Sequence, residues 1–284
     1  LLLLLVSCSD IETETSGNGT LPDGDTLAIA FRSISEKTRA QETGEDDIAD
    51  FRVSAIWKRD AAAGDYEPGF MNNIKVERSG TYWHYTPKRY WPVGGAVDFF
   101  AYSPATSTGV TTFAVEGATY NKATINYTAT TDHRMQEDLL VATALNKTAS
   151  PVLMNFRHAL SQVEFRARST AQGVTFRIRN IQLINLDRSG TYTATVTAPG
   201  DTEMDWTWSD NTASAEKTET YPIYMPQPFV VAYPATATEV PAFASLTDAT
   251  VGNLMILPQV VTLGSGELYT QVDIDADETD NITQ

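Results

Sequence analysis

The sequence is poor in cysteine, in basic residues and in long apolar runs. Its 284 residues include a single cysteine, which excludes an internal disulfide and any CxxC metal or redox motif. Lysine and arginine number 20 against 36 aspartates and glutamates, so the formal net charge is −16. Because a chain this acidic repels phosphate backbones and has no basic stripe, we exclude nucleic acid as a partner.

Motifs for catalysis, metals and cofactors are also missing. The sequence contains no nucleophile elbow, HExxH, Walker or dinucleotide-binding glycine pattern. Asp273-x-Asp275-x-Asp277 begins like an EF-hand loop, but Glu278 and Gln284 stand where a glycine and a bidentate glutamate are required. We therefore predict no metal, no cofactor and no enzyme, although a glycosidase-like pair among the 36 carboxylates is not excluded.

The apolar residues that are present follow a period of two, which is typical of strands. The clearest example is Pro151 to Arg168, where Val152, Met154 and Phe156 alternate with polar or exposed positions. The alternation breaks at His158 to Ser161 and then resumes. We interpret this stretch as two strands meeting at a corner between two β-sandwich domains, with His158 in a structural hydrogen bond rather than a catalytic role.

Other segments repeat the strand pattern, and none keeps a helical period over three turns. A hydrophobic content of 42% allows packed cores, and the length suggests two domains of about 150 residues each. The chain is therefore predicted to be all-β, apart from one helical turn at Met135 to Leu139. Further strands are predicted at 27–31, 51–57, 97–102, 111–115, 124–127, 139–142, 174–179, 181–186, 206–208, 221–225 and 253–261.

Two details of strand pairing are also predicted. Arg78 to Tyr82 reads Arg-Ser-Gly-Thr-Tyr, and Arg188 to Tyr192 repeats it letter for letter. We expect each copy to carry the same tight hairpin at its Ser-Gly pair. The strand Val174 to Arg179 is expected to pair with Val163 to Ala167 through the loop that ends at Gly173.

The segment Tyr82 to Pro104 is dense in aromatic residues. Pro87 and Pro92 exclude a continuous helix or a central strand there. Core packing of these rings is the interpretation we favour. The alternative is a glycan-binding platform in which Trp83 and Trp91 stack on sugars.

The N-terminus has the features of a lipoprotein precursor. Leu1 to Cys8 ends in Leu-Val-Ser-Cys, which resembles the bacterial lipobox, and we expect the printed sequence to begin inside a signal peptide. On this interpretation residues 1–7 end the signal peptide and Cys8 carries the lipid; the alternative is a lone buried cysteine. Residues 8–26 form a flexible tether that cannot bury enough apolar surface to fold. The predicted domains are 27–150 and 151–284.

Several phrases together resemble the fimbrillin family of Bacteroidetes, the Mfa-like and FimA-like subunits of type V pili. They are Thr38-Arg39-Ala40, Tyr90-Trp91-Pro92 with the following 97–102, Asp138 to Ala142, Phe156 to Val163, and Leu254 to Gln259. The resemblance implies two transthyretin-like β-sandwich domains in tandem and a structural or adhesive role in a cell-surface fimbria. It also implies an outer-membrane lipid anchor at Cys8, other fimbrial subunits as partners, and a host or bacterial surface ligand.

The resemblance further implies assembly by β-strand exchange after proteolysis. In the family, a protease cuts after an arginine beyond the first strand and releases that strand with the lipid anchor. Arg39 matches that position, and Arg32 fits less well because it lies within the predicted strand. The alternative for Arg39 is an ordinary loop arginine. Because the family continues through further strands near its C-terminus, we expect this chain to be truncated after Gln284.

Overall fold

The computed structural model describes residues 28–35, 48–80, 82–117, 121–197, 204–210, 219–259 and 269–276. These residues form strands and loops, and the one helical element among them is a short 3-10 turn at His133–Met135. The all-β prediction is confirmed. Within the described ranges, no helix is long and apolar enough to cross a membrane.

A sheet of seven strands forms the first layer. In spatial order it runs β1-β9-β8-β5-β2-β3-β4. The bounds of these strands are β1 Phe31–Ser35, β2 Asp50–Asp60, β3 Asp65–Ser79, β4 Tyr82–Tyr85, β5 Ala96–Ser103, β8 Leu140–Lys147 and β9 Val152–His158.

One face of this sheet covers an apolar core formed by the sheet's own strands and the segments next to them. Phe51 and Val53 of β2, Phe99 of β5 and Phe156 of β9 are all fully buried there. Their alternating spacing places them on one side of the pleat, as the sequence pattern predicted. β2 and β5 are nevertheless buried on both faces, because a second layer covers the other side.

The second layer is a sheet of four strands in the order β14-β13-β7-β6. Its bounds are β6 Val110–Gly117, β7 Asn121–Thr128, β13 Ser189–Thr195 and β14 Trp206–Asp210. Ile56, Phe100 and Leu145 of the first sheet pack against Ala123 and Ala194 of the second. The two sheets therefore form a sandwich at this point.

The remaining strands are organised around β12, Thr175–Leu186. It pairs with β15 and β16 along one edge and with β19 along the other. Two short antiparallel pairs, β10 with β18 and β11 with β17, complete the described strands. Their bounds are β10 Ser161–Val163, β11 Arg166–Ala167, β15 Glu219–Pro222, β16 Phe229–Ala232, β17 Ala244–Ser245, β18 Leu254–Ile256 and β19 Tyr269–Ala276.

Strand pairing and core packing both cross the predicted domain boundary at 150/151. β9 pairs with β8 in the first sheet, and β13 pairs with β7 in the second. The core beside β12 combines Tyr127 and Leu139 with Phe165 and Leu183. The division into domains 27–150 and 151–284 therefore stays a prediction. The corner after β9 lies where the alternation breaks, between His158 and Ser161.

The prediction that both Arg-Ser-Gly-Thr-Tyr copies form a hairpin is right for the first copy and wrong for the second. Ser79 pairs with Tyr82 across a tight turn, where Gly80 has a φ of 62° that favours glycine. Gly190 instead lies inside β13, and a Cβ there would come within 2.8 Å of Leu257 and 2.9 Å of Trp208. The same residue type thus meets a backbone requirement in one copy and a packing requirement in the other.

Two further predictions of local structure are wrong. The segment around Val163 and Ala167 pairs with β18 and β17 rather than with β12. β12 instead finds its partners among the more distant strands β15, β16 and β19. Residues 136–139 are not helical, because the 3-10 turn ends at Met135 and Gln136 already has extended dihedral angles.

We predict that Phe156→Ala lowers the free energy of unfolding by about 3–5 kcal/mol, because it opens a cavity in the first-sheet core. Leu153→Ala in the same strand is the matched control, since that side chain is 40% exposed and should cost less than about 1 kcal/mol. Urea unfolding of both variants measures the difference. Equal losses would contradict the assignment of the two faces of β9.

Candidate functional site

The first strand and the residues just before it lie buried along the edge of the seven-stranded sheet. Ile29 is fully buried, and Phe31 is only 4% exposed. An edge strand normally presents a row of unpaired backbone groups to its surroundings. Here the edge segment supplies core side chains, so its removal would open the core.

The backbone of this segment is held from two sides. β1 pairs in parallel with β9, whereas all other pairs between the described strands are antiparallel. Just before β1, the amide of Val152 donates to the carbonyl of Ala30 at 2.7 Å. From the other side, the amide of Ile29 donates to the carbonyl of Arg89 at 2.9 Å.

The hydroxyl of Ser150 bridges three groups at this position. It donates to the carbonyl of Ala28 at 3.0 Å and accepts from the amide of Ala30 at 3.0 Å. It also accepts from the indole Nε1 of Trp91 at 2.8 Å. One donor and two acceptor sites are all that a hydroxyl has, so its hydrogen-bonding capacity is fully used.

Tyr85 adds a further link from the last residue of β4. Its ring is 9% exposed, and its hydroxyl donates to the carbonyl of Ile29 at 2.8 Å. The same oxygen accepts from the amide of Arg89 at 3.3 Å. The loop after β4 and the segment before β1 are therefore tied together through one phenol.

The side chain of Phe31 anchors the strand in the core. Its ring meets Phe51, Tyr85 and Phe99 edge-on, with centroids 5.7, 5.6 and 5.7 Å away. Edge-to-face contacts at such distances add stabilisation beyond simple burial. We call the surface made by β9, Ser150, Tyr85, Phe51 and Phe99 the first-strand groove. It can hold one extended segment by backbone pairing and one aromatic anchor.

The structure does not test the two site residues predicted from the sequence. Cys8 and Arg39 both fall outside the described residues. Sequence reasoning missed Ser150 and Tyr85, because a serine before a proline and a tyrosine in an aromatic run carry no signal of their partners. The parallel pairing of β1 with β9 brings Ser150 to residues 28–30, and contacts of residues 28 and 29 with the chain after β4 bring Tyr85 there.

The aromatic residues of the segment Tyr82 to Pro104 pack mainly into the core, which is the interpretation favoured from the sequence. Trp83 is only 7% exposed, and Trp91 is half-buried with its indole bonded to Ser150. The exposed rings are Tyr82 at 37% and Tyr90 at 52%. The glycan-platform alternative required both tryptophan rings to be exposed, and the ring of Trp83 is buried.

The hydrogen bond predicted for His158 is confirmed. Its Nδ1 lies 3.0 Å and 2.9 Å from the two carboxylate oxygens of Asp138. His133 is the more deeply buried histidine, and its Nδ1 accepts from the backbone amide of Tyr224 at 3.1 Å. Burial lowers the pKa of His133, against the smaller opposing effects of the Asn253 and Gly252 backbone and of the Asp132 and Asp248 carboxylates.

The chain is an all-β protein whose first strand fills a core-forming sheet edge. It belongs to the fimbrillin-like family, whose model matches residues 38–277. As a member of that family it is a fimbrial subunit, a structural protein rather than an enzyme, and the family places it in cell-surface fimbriae with other subunits as partners.

A solved structure has a similar fold. It is a fimbrial protein from Bacteroides vulgatus ATCC 8482, crystallised at 2.55 Å resolution, with a TM-score of 0.59 and 17% sequence identity. The match covers 88% of this chain and 83% of that chain. A search of curated proteins finds no match.

We predict that Ser150→Ala loosens the first strand, because it removes three hydrogen bonds at once. Each buried group left without a partner costs about 1–3 kcal/mol. Hydrogen exchange of the Ala30 amide should accelerate about tenfold or more, since about 1.4 kcal/mol corresponds to a factor of ten.

The matched control is Thr148→Ala, which removes an exposed hydroxyl two residues away. It should leave exchange at residues 28–31 unchanged. Equal protection of the Ala30 amide in the wild type and in Ser150→Ala would contradict the role given to this hydroxyl.

A second prediction concerns pH. Because the pKa of His133 is lowered in the folded state, the unfolded chain binds more protons below about pH 6.5. Wild-type stability should therefore fall relative to His133→Asn as the pH drops from 7.5 to 5.5. Denaturant unfolding at both pH values measures this difference, and a constant gap between the proteins would refute it.

Proposed function

We propose that this fimbrial subunit is exported as a lipoprotein anchored to the outer membrane through Cys8 and assembles by β-strand exchange. In this proposal, cleavage after Arg39 releases the lipid anchor together with β1. The emptied first-strand groove then accepts an extended segment from another subunit. The observation that supports it is that a core-forming strand sits at a sheet edge, at the N-terminal end of the described chain.

Loss of β1 would leave two kinds of unsatisfied surface. The exposed edge of β9 would present backbone groups that now pair with residues 30–35. The contacts of Phe31 would leave an apolar trough lined by Phe51, Tyr85 and Phe99. A free edge beside an apolar trough favours addition of a new strand, because the added strand both pairs with the exposed backbone and buries its side chains.

The position of the cleavage site fits the geometry of release. β1 ends at Ser35, four residues before Arg39. A cut there would separate the whole of β1 from the rest of the subunit without removing any strand of the groove. A cut at Arg32, whose backbone pairs with Leu153, would leave part of the strand in place.

The proposal predicts the outcome of treatment with an arginine-specific protease. The lipidated precursor, purified from its native bacterial host, should lose the fragment that ends at Arg39 together with its lipid. The remaining protein should then form oligomers. Mass spectrometry and size-exclusion chromatography measure the two events. Arg39→Ala should stay uncut and monomeric, whereas Arg32→Ala, the matched control, should behave as the wild type does.

A synthetic peptide tests the groove separately from the donor. A peptide of residues 27–37 should bind the cleaved subunit and suppress its assembly. The same peptide with Phe31→Ala should bind at least about tenfold more weakly, because it lacks the aromatic anchor. A cleaved subunit that stays monomeric and binds neither peptide would overturn strand exchange.

A further inference from the structure

Three polar side chains meet at the sandwich, two of them buried and the third, Asn146, partly buried. Lys58 lies in β2, Asp98 in β5 and Asn146 near the end of β8, so the three come from neighbouring strands of the first sheet. The side chain of Lys58 is 3% exposed and that of Asp98 is fully buried. Burying a lysine and an aspartate carries a large desolvation cost. Packing alone does not explain why both charged groups are buried here.

The three groups touch one another directly. Lys58 Nζ lies 2.8 Å from Asp98 Oδ1 and also donates to Asn146 Oδ1. The backbone amide of Asn146 donates to Asp98 Oδ1 at 2.7 Å. The amine is therefore in contact with a carboxylate on one side and a carboxamide on the other.

A local irregularity brings Asn146 into this position. The pairing of β5 with β8 shifts register between Val97 and Phe99, opposite the end of β8. Asn146 itself has a φ of 55°, a left-handed conformation that asparagine tolerates better than most residues. The bulge thus turns the carboxamide of Asn146 toward the amine instead of continuing the regular pleat.

Buried apolar side chains border the ion pair. Residues two positions away on the same strands, Ile56 beside Lys58 and Phe100 beside Asp98, are fully buried against the second sheet, and Leu145 is 3% exposed there. Residues spaced by two share a face, so the polar groups lie beside this apolar layer. At the low dielectric constant of such a setting, the electrostatic interactions between fixed charged groups are stronger than in water, which favours proton transfer between them.

We propose that Lys58 and Asn146 form an intramolecular isopeptide bond, with Asp98 as the catalytic acid and base. Asp98 takes one proton from the ammonium of Lys58. The Nζ lone pair then attacks Asn146 Cγ, and the carbonyl electrons move onto Oδ1. The Asp98 carboxyl group, now protonated, can donate a hydrogen bond to that oxygen.

The step balances without any other reactant. As the carbonyl re-forms, the bond from Cγ to Nδ2 breaks and the leaving nitrogen takes a proton from Asp98. Nζ loses two protons in all: one completes ammonia, and the other leaves with it as ammonium, which returns Asp98 to its carboxylate form. No oxidant or reductant is involved, and the product is one secondary amide.

Proximity makes this reaction accessible at ordinary temperatures. An amide has low intrinsic reactivity, but fixed reacting groups gain rate because no encounter has to be organised. Asn146 Cγ lies one carbonyl bond of about 1.23 Å beyond the Oδ1 that Nζ contacts. A general acid and base held against the reacting nitrogen adds a further contribution.

The bond would join β2 to β8 across β5, which lies between them in the sheet. It would close a covalent loop from Lys58 to Asn146 that contains β3 to β7. The inference is independent of strand exchange, because the cluster contains no residue of the first-strand groove. Failure of one proposal therefore leaves the other standing.

Intact-mass spectrometry of the purified full chain tests the proposal. The wild type should be lighter than its sequence mass by one molecule of ammonia, and a protease digest should contain a peptide pair joined through Lys58 and Asn146. Lys58→Arg keeps the positive charge but removes the nucleophilic amine, so its mass should equal its sequence mass. Asp98→Asn should also stay unlinked.

Lys75→Arg is the matched control, since Lys75 pairs with Asp50 and Glu77 on the surface and should leave the mass deficit intact. Ammonia loss that persists in Lys58→Arg would come from another asparagine and would overturn the assignment. A wild type that unfolds cooperatively, has its full sequence mass and yields no joined peptide would show an ordinary buried ion pair and refute the bond.

Discussion

The pairing of β1 with β9 is the interaction on which this structure most depends. It is the one parallel pair between the described strands, and it joins the N-terminal end of the described chain to a strand more than a hundred residues away. Phe31 enters the core only because this pairing places it there. A single edge interaction therefore completes both the sheet and the core beneath it.

The strands and their buried faces could be predicted from the sequence wherever the alternation of apolar and polar residues determines them. Phe51 and Val53 in β2, and Met154 and Phe156 in β9, alternate with less buried positions, and the structure buries them on one face. The break at His158 also marks a real corner. Such features depend on neighbours in the chain, and a period of two is sufficient to reveal them.

Features set by distant partners could not be predicted in this way. Gly190 looks like a turn glycine, and only the approach of Leu257 and Trp208 explains why it lies in a strand. Ser150 acquires its role from residues 28 and 30, and no local pattern announces that pairing. The same holds for Asn146, whose contact with Lys58 spans 88 positions in the sequence.

The way Ser150 holds the first strand has a consequence for recognition. Its hydroxyl bonds to the carbonyl of residue 28 and the amide of residue 30, which are backbone groups common to nearly every amino acid. That contact cannot tell one extended segment from another. Any selectivity for the segment at this position would therefore come from side-chain contacts, which here are the burial of Ile29 and the aromatic contacts of Phe31.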